Sequence, residues 1–192
     1  MYLYVIRHGE TRTNREGRWT GWLDVPLTEK GRTDALYARR VLEGIRFDKV
    51  YSSDLIRAQE TAAIALPGCQ PELSELLREN NVGEFTDKPF TILTPEMDDY
   101  VLTYGYAAQG GESNDEFSAR VARFLRMVEE RDADCKNVAL FTHGGVMHAI
   151  LEILVGMRLP RKKFSCANCT VSAFESRPHG WRLCKWDVPL ED

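Results

Sequence analysis

The chain has 192 residues, of which 43% are hydrophobic and 28% are charged, and its formal net charge is −4. This composition is typical of a globular protein, so we expect residues 1–192 to form a single domain with a sizeable core. The net negative charge disfavours a general nucleic-acid surface, and no apolar run approaches the roughly 20 residues that span a bilayer. The N-terminus lacks a secretory signal pattern, so we expect a cytoplasmic protein with no nucleic-acid or membrane partner. The sequence leaves the oligomeric state open.

Strand and helix patterns alternate through the first half of the chain. The predicted elements are a buried strand over 2–6, a polar loop over 9–27, a helix over 29–43 capped by Thr28, a strand over 47–51 and a helix over 55–66 capped by Ser52, Ser53 and Asp54. Leu36 is expected on the apolar face of the first helix. A loop as long as the one over 9–27 is often functional.

The second half contains one long polar segment and one strongly amphipathic helix. A strand is predicted over 73–77, and residues 80–112, which include a helix over 95–104, are interpreted as a lid-like insertion. Ser113 and Glu116 match a capping box that opens the amphipathic helix. The apolar face of that helix is predicted to comprise Phe117, Val121, Phe124, Leu125 and Val128. The remaining elements are a strand over 138–141, an apolar helix over 146–155 and a hairpin with strands over 170–175 and 181–186.

Because strands alternate with helices, we predict an α/β fold, a three-layer α/β/α sandwich with a mostly parallel central sheet. Polar residues follow the strand ends: Arg7 and His8, His143, Arg57 and Glu79. The carboxyl ends of parallel strands meet at one edge of a sheet, so we expect these five side chains to converge. Both histidines precede a glycine, which allows a ligand to approach the backbone closely.

The converging residue types favour phosphoryl chemistry. Cations and hydrogen-bond donors bind a phosphoryl dianion, a neutral imidazole can attack phosphorus, and a carboxyl group can protonate the leaving oxygen. Taken alone, Arg57 could equally be a solvated surface residue, because the first turn of a helix does not favour a cation. Two histidines and a glutamate could also bind zinc. Nearby arginines would repel a metal ion and no HExxH spacing occurs, so we expect no metal and no cofactor.

The cysteines suggest reduced thiols. An odd, scattered set is typical of a reducing compartment, and the five positions are Cys69, Cys135, Cys166, Cys169 and Cys184. Cys166, Cys169, His179 and Cys184 could together bind zinc. We favour free thiols, because the predicted hairpin places His179 in its turn and Cys184 within a strand.

Several short motifs occur in order along the chain. They are Arg7-His8-Gly9-Glu10-Thr11 with Asn14, Thr20-Gly21-Trp22, Ser52-Ser53-Asp54-Leu55 with Arg57, Leu77-Arg78-Glu79 with Gly83-Glu84-Phe85, Gly111-Glu112-Ser113, and Thr142-His143-Gly144-Gly145-Val146. Together these motifs resemble the histidine phosphatase superfamily, which has the phosphoglycerate mutase-like fold. Within it, the chain is similar to the phosphatase branch, such as alpha-ribazole phosphatase-like or broad-specificity phosphatases.

The resemblance implies a role for each motif residue. His8 would be the nucleophile that becomes phosphohistidine, and Glu79 would be the general acid and then the base that activates water. The implied ligands of the phosphoryl oxygens are Arg7, Arg57, His143, Asn14 and the backbone near Gly144. Thr20 and Gly21 would lie beside the substrate, while Glu10 and Asp24 would be structural.

Departures from the family pattern bear on the substrate. Thr86-Asp87-Lys88 follows Phe85 where family members often carry Glu-Gly, and His148 stands where many relatives have arginine. The segment 80–112 contains one lysine, no arginine and six acidic residues, which makes it a poor clamp for a polyanion.

We therefore predict a metal-independent phosphomonoesterase of the histidine acid phosphatase type, acting on a small phosphorylated metabolite. The alternative is a phosphoglycerate mutase. A non-catalytic phospholigand-binding module is less favoured, because a lost nucleophile or acid would mark it and His8 and Glu79 are both present.

Overall fold

A computed structural model describes residues 1–157 and 166–188 of the chain. Its strands are β1 (Tyr2–Arg7), β2 (Lys49–Ser53), β3 (Glu72–Ser74), β4 (Asn137–Thr142), β5 (Val171–Arg177) and β6 (Gly180–Val188). They form one sheet in the order β3-β2-β4-β1-β5-β6. Neighbours among β1 to β4 pair in parallel, whereas β5 pairs antiparallel with both β1 and β6. The predicted mostly parallel sheet and the C-terminal hairpin are confirmed.

Helices cover both faces of this sheet. They are α1 (Arg12–Arg15), α2 (Glu29–Leu42), α3 (Ile56–Ala65), α4 (Pro95–Tyr104), α5 (Asn114–Arg131) and α6 (Gly144–Val155), with short 3-10 turns at Glu75–Leu77, Gly83–Phe85, Phe90–Ile92 and Ala107–Gln109. Within the described residues, no helix is long and apolar enough to cross a bilayer. The short helix α1 lies inside the predicted loop over 9–27, where Thr11 and Asn14 form a reciprocal capping box.

The period-2 alternation of strand β4 divides the core into two layers. Val138 and Leu140 pack in a cluster with residues of α5 and α6, whereas Ala139 and Phe141 pack in a second cluster with residues of α2 and α3. Successive strand side chains point to opposite faces, so a strand that is apolar throughout is buried on both sides. The predicted three-layer α/β/α arrangement is confirmed.

The best-predicted helix is α5. Ser113 accepts a hydrogen bond from the backbone of Glu116, and the Glu116 side chain accepts one from the backbone of Ser113, as a capping box requires. The five residues predicted on its apolar face are all buried: Phe117, Val121, Phe124, Leu125 and Val128. Their spacing of three and four residues places them on one stripe of the helix.

Two details of the sequence prediction for α2 and β3 are wrong. Leu36 is 49% exposed. Helix α2 instead buries Ala35, Ala38 and Leu42, which repeat at helical spacing and leave Leu36 about 100° away from that stripe. The strand predicted over 73–77 ends at Ser74 and continues as a 3-10 turn.

The predicted cap of α3 is also wrong. Leu55 occupies the N-cap position without a side-chain hydrogen bond. The first free N–H group, that of Ile56, donates to Asp24 Oδ1 in the polar loop at 2.7 Å. Asp54 binds Arg78 instead, with an Nε–Oδ1 distance of 2.8 Å. The first free N–H group of α3 therefore has its hydrogen-bond acceptor in a residue distant in sequence.

The segment 80–112 forms a small apolar cluster beside the polar loop. Val82, Phe85, Val101 and Tyr106 are buried together, with Trp19 packed against them. The two segments are joined by backbone hydrogen bonds of 2.9 Å from Trp19 N–H to the carbonyl of residue 88 and 2.8 Å from the residue 87 N–H to Trp19 O. This contact places the predicted insertion over the carboxyl edge of the sheet.

Candidate active site

The two histidines that follow β1 and β4 lie side by side. Arg7 and Thr142 are register partners in the parallel ladder, so the next residues, His8 and His143, leave the sheet at adjacent points. Their ring centroids are 5.1 Å apart, and both residues are buried. The predicted convergence of strand ends therefore brings the two imidazoles together.

The hydrogen bond of His8 defines which ring nitrogen can react. Nδ1 lies 2.7 Å from the carbonyl oxygen of Gly9. A carbonyl can only accept, so Nδ1 carries the proton and Nε2 holds the lone pair. Burial, followed by the charges of Arg57 and Arg7, holds the pKa of His8 well below its usual value. The imidazole is therefore neutral near pH 7.

The glycine after His8 permits a backbone contact within the protein. A Cβ atom at Gly9 would lie 2.4 Å from the carbonyl oxygen of Gly31, and one at Gly31 would lie 2.2 Å from the carbonyl oxygen of Glu10. The N–H group of Gly9 also donates to Thr61 at 3.0 Å. Gly9 therefore lets the start of α2 pack directly against the backbone that follows His8.

His143 is held by a residue of β2. Its Nε2 lies 2.9 Å from Ser53 Oγ. Its Nδ1 is buried and has no hydrogen-bond partner among residues 1–157 and 166–188. Burial is the largest cause that lowers the pKa of His143, and the charge of Arg57 comes second. Ser53, which the sequence assigned to a helix cap, instead orients this imidazole.

Arg57 is fully buried, which excludes the surface-residue alternative. Its Nη1 donates to the carbonyl oxygen of Leu23 at 2.9 Å and its Nη2 to that of Gly21 at 2.8 Å. Burial lowers its pKa to about 10, so the guanidinium remains charged near neutral pH. The polar loop over 9–27 thus fixes a cation beneath the two histidines.

The carboxylate of Glu79 sits at the beginning of α6. Oε2 accepts a hydrogen bond from Gly145 N–H at 3.1 Å, and Oε1 accepts one from Asn80 N–H at 2.8 Å. A Cβ atom at position 145 would lie 2.2 Å from Oε1, so a larger residue there would displace the carboxylate. The free N–H groups of a helix N-terminus suit a carboxylate. Arg7 lies next to the first residue of the same helix, Gly144, and donates from Nη1 to the carbonyl oxygen of Cys166.

Seven of the nine predicted site residues line one cavity: Arg7, His8, Asn14, Thr20, Gly21, Arg57 and Glu79. His143 and Gly144 do not line it. His143 lies behind the ring of His8, and the N-terminal glycine that reaches the cavity is Gly145. The role predicted for the backbone near Gly144 stays a prediction.

The polar pair Asn14 and Thr20 is held from within the loop. Asn14 Oδ1 accepts from Thr11 N–H at 3.1 Å and lies 3.4 Å from Asn168 Nδ2, which also donates to the carbonyl oxygen of His8 at 2.9 Å. The hydroxyl of Thr20 is 2.6 Å from that of Thr13. These bonds hold both side chains at the cavity edge.

Comparison with known proteins agrees with this geometry. The family model for "Histidine phosphatase superfamily (branch 1)" matches residues 3–189. The chain belongs to the histidine phosphatase superfamily. The resemblance inferred from the sequence motifs is therefore confirmed.

The relatives within the superfamily include one named as a mutase and one named as a phosphatase. The probable phosphoglycerate mutase GpmB of Yersinia pestis (strain Pestoides F) is 33% identical, over 98% of this chain and 91% of its own length. A proposed alpha-ribazole-5'-P phosphatase from Escherichia coli str. K-12 substr. MG1655 has a TM-score of 0.85 and 28% identity, covering 98% of this chain and 96% of its own. TTHB049 from Thermus thermophilus has a TM-score of 0.79 and 34% identity, covering 98% of this chain and 100% of its own.

Sequence reasoning did not find the outer wall of the site of this superfamily member. The cavity is also lined by Arg18, Trp19, Asn80, Val82, Phe90, Tyr106 and Gly145. Several of these residues come from the segment 80–112, whose irregular pattern does not reveal which side chains turn inward. Trp19 could have been selected from the sequence, because it is a large aromatic residue within a long polar loop.

The cysteines are free thiols in the part of the chain that the structure describes. Cys166 and Cys169 are buried, whereas His179 and Cys184 are exposed. Burial raises the pKa of Cys166 to about 11 and that of Cys169 to about 12. Within residues 1–157 and 166–188, no three His, Cys, Asp or Glu side chains are grouped so that they could hold a metal ion.

Proposed function

We propose that this protein is a metal-independent phosphomonoesterase that hydrolyses a small phosphorylated metabolite through a phosphohistidine at His8. The observation that carries the proposal is the hydrogen bond from His8 Nδ1 to the Gly9 carbonyl oxygen, 2.7 Å long. It leaves Nε2 unprotonated, and burial, followed by the charges of Arg57 and Arg7, holds the pKa of His8 well below its usual value. A neutral nucleophile and two fixed cations are what attack on a phosphoryl dianion requires.

In the first step, Arg7 and Arg57 hold the phosphoryl oxygens, while His143 packs behind the ring of His8. His8 Nε2 forms a bond to phosphorus while the bond from phosphorus to the ester oxygen breaks. Glu79 gives its proton to that oxygen, and the alcohol leaves. The products of this step are phosphohistidine, a free alcohol and the Glu79 carboxylate.

In the second step, Glu79 takes a proton from water, and the water oxygen attacks phosphorus. The phosphorus–nitrogen bond breaks, so inorganic phosphate leaves and His8 Nε2 regains its lone pair. Glu79 is again protonated for the next turnover. The hydrogen bonds from Asn80 N–H and Gly145 N–H hold this side chain in place.

The charged residues that line the cavity favour hydrolysis over the mutase reaction. A mutase must also hold a second anionic group, and among the lining residues the remaining cation is Arg18. Its Nη1 donates to the carbonyl oxygen of Asp87 at 2.6 Å, and its Nε lies 3.2 Å from a carboxylate oxygen of Glu16. Arg18 is therefore partly neutralised and a weak clamp for a second phosphate. The name of the GpmB relative keeps phosphoglycerate mutase as the second candidate.

The test is to incubate the purified protein with a panel of phosphorylated metabolites and to measure released phosphate. We expect hydrolysis, a phosphoenzyme that is labile in acid, and the loss of both in His8→Ala. Vanadate, which mimics five-coordinate phosphorus, should inhibit, whereas a chelator should not. Phosphoryl transfer with bisphosphoglycerate priming and negligible hydrolysis would replace the proposal with the mutase. Ligand binding without a phosphoenzyme or turnover would favour the binding module.

A further inference from the structure

Trp22 lies outside the set of residues that line the cavity, yet its side chain contacts the backbone of the proposed acid. The residue is 38% exposed, but Nε1 is directed inward and donates to the carbonyl oxygen of Glu79 at 2.7 Å. A carbonyl oxygen has two lone pairs, so it can also accept from Arg120 Nη2 at 3.1 Å. The indole therefore joins the polar loop over 9–27 to the backbone of the acid.

The backbone on either side of Trp22 holds the buried cation of the site. Arg57 donates to the carbonyl oxygen of Leu23 at 2.9 Å and to that of Gly21 at 2.8 Å. Three consecutive residues thus contact both reacting ends of the proposed site. The outer two carbonyl groups bind Arg57, and the side chain between them binds Glu79.

The orientation of the Trp22 ring is fixed by a second contact. The guanidinium carbon of Arg78 lies 5.0 Å from the ring centroid, which is an attractive cation–π distance. Arg78 in turn donates from Nε to Asp54 Oδ1 at 2.8 Å. Asp54 lies three residues before Arg57 in the chain. The ring is therefore held both by its N–H bond and by a cation that is bound to the start of α3.

The distance between Glu79 and Arg57 matters for the proposed reaction. The leaving oxygen is bonded directly to phosphorus, so the acid must lie at one distance from the cation that holds the phosphoryl oxygens. A misplacement of about 1 Å can lower a rate by about 100-fold. The N–H groups of Asn80 and Gly145 orient the Glu79 carboxylate, whereas the Trp22 bond relates the Glu79 backbone to Arg57.

We infer that Trp22 is a positioning residue, whose indole N–H fixes the proton donor Glu79 relative to the phosphoryl-binding Arg57. The inference rests on the proposed function and adds to it a residue that touches no substrate atom. A tryptophan that only stabilised the loop would affect all substrates alike. A positioning residue affects the step that needs the proton of Glu79 and spares the binding of phosphate.

The experiment uses Trp22→Phe, which keeps a ring over Arg78 and removes the N–H group. We expect kcat/KM to fall about 10-fold for the alkyl phosphate that the wild type hydrolyses best, because the acid is misplaced. The value for p-nitrophenyl phosphate should stay within about two-fold, since its leaving group needs little protonation. Trp181→Phe is the matched control, because Trp181 Nε1 donates to Glu129 at 2.8 Å on the C-terminal hairpin.

Two further readouts separate positioning from a structural role. Inhibition by inorganic phosphate reports Arg57, whose bonds to the backbone remain, so its inhibition constant should change less than about two-fold in Trp22→Phe. In a Glu79→Gln background, Trp22→Phe should cause no further loss on the alkyl phosphate, because the group through which it acts is already absent.

A second variant protects the test if Trp22→Phe does not fold. Arg78→Gln removes the stacked cation and leaves the indole intact, and it should also lower kcat/KM more for the alkyl phosphate than for p-nitrophenyl phosphate. Equal losses on both esters, no loss on the alkyl phosphate, or a loss that adds to that of Glu79→Gln would overturn the inference. Absence of phosphate release and of phosphoenzyme in the wild type would instead overturn the proposed phosphatase function.

Discussion

Arg120 in helix α5 donates from Nη2 to the backbone carbonyl oxygen of Glu79 at 3.1 Å. Its Nη1 donates to the carbonyl oxygens of Leu76 and Arg78, each at 2.9 Å. Its Nε is 2.7 Å from a carboxylate oxygen of Glu112, and this ion pair is largely buried. One guanidinium thus joins the backbone before the proposed acid to the end of the segment 80–112, which makes Arg120 a positioning residue.

Removal of the Arg120 guanidinium should therefore have the same kinetic effect as removal of the Glu79 carboxyl group. A misplaced acid slows esters with poor leaving groups, because those alcohols need a proton as they depart. We expect Arg120→Gln to lower kcat for alkyl phosphates by about 10- to 100-fold and kcat for p-nitrophenyl phosphate much less. Parallel kinetics with both ester types measure this split.

Glu79→Gln should show the same split, and the Glu79→Gln, Arg120→Gln double variant should be no slower on alkyl phosphates than Glu79→Gln alone. Arg123→Gln serves as the matched control, since Arg123 is exposed on the same helix. A loss in Arg120→Gln that is equal for both ester types, or additive with that of Glu79→Gln, would contradict the positioning role.

The substitution Gly145→Ala should lower activity without lowering the free energy of unfolding. The new Cβ atom would lie 2.2 Å from Glu79 Oε1, so the carboxylate would have to move. Alanine is the better helix former by roughly 1 kcal/mol, and the displaced side chain is flexible, so we expect an unchanged or slightly higher free energy of unfolding. Turnover of alkyl phosphates should nevertheless fall about 10-fold or more. Urea unfolding and ester kinetics measure the two quantities, and unaltered turnover would show that the carboxylate position is not critical.

The neutral histidines should make stability depend on pH. Burial and the charge of Arg57 hold the pKa values of His8 and His143 well below 6.5 in the folded state. Unfolded histidines bind protons near pH 6.5, so below that pH the unfolded state carries more protons than the folded state. The free energy of unfolding should therefore fall as the pH drops below about 6.5.

Urea titrations at several pH values test this dependence. His143→Gln should reduce the slope of the free energy of unfolding against pH between about 6.5 and 5, because one buried titrating group is removed. His179→Gln, at an exposed hairpin position, is the control. The prediction fails if the slope in His143→Gln equals that of the wild type.

The same pKa shift should extend catalysis to acidic pH. In the proposed mechanism His8 attacks as the neutral imidazole, so its lowered pKa keeps that form available below the usual value of 6.5. We expect the acid limb of kcat/KM that reports His8 to lie below pH 6.5. A pH–rate profile for p-nitrophenyl phosphate, whose leaving group needs little protonation, measures this limb. Loss of activity with a midpoint at or above 6.5 would be inconsistent with a buried neutral nucleophile.

Two apolar substitutions test the core. Phe124 is fully buried in α5 and meets Tyr51 edge-to-face with a centroid distance of 5.2 Å. Phe124→Ala should lower the free energy of unfolding by about 3–5 kcal/mol through lost burial and a new cavity. Leu36→Ala should change it by less than about 0.5 kcal/mol, because Leu36 is half-exposed. Comparable losses in the two variants would show that Leu36 is buried in solution.

Local patterns in the sequence were sufficient to predict most of the helices and strands and to select the proposed reacting groups. The capping box and apolar stripe of α5 depend on residues three and four apart, so the chain specifies them without tertiary information. The placement of His8 and His143 after apolar strands likewise predicts their meeting, because parallel strands share a carboxyl edge. The family motifs follow from the same residues.

The hydrogen-bond partners of the polar side chains could be identified only from the tertiary structure. Arg57 is buried because carbonyl groups of a loop more than thirty residues away in sequence satisfy its guanidinium. Ser53 Oγ lies 2.9 Å from His143 Nε2 and accepts from the N–H of Leu55, whereas the first helical N–H of α3, that of Ile56, donates to Asp24. Such contacts depend on how the loop over 9–27 and the segment 80–112 fold against the sheet, and neither segment has a period from which side-chain direction can be read. The proposed nucleophile, His8, could therefore be identified from the sequence, whereas the residues of the outer cavity wall could be identified only from the fold.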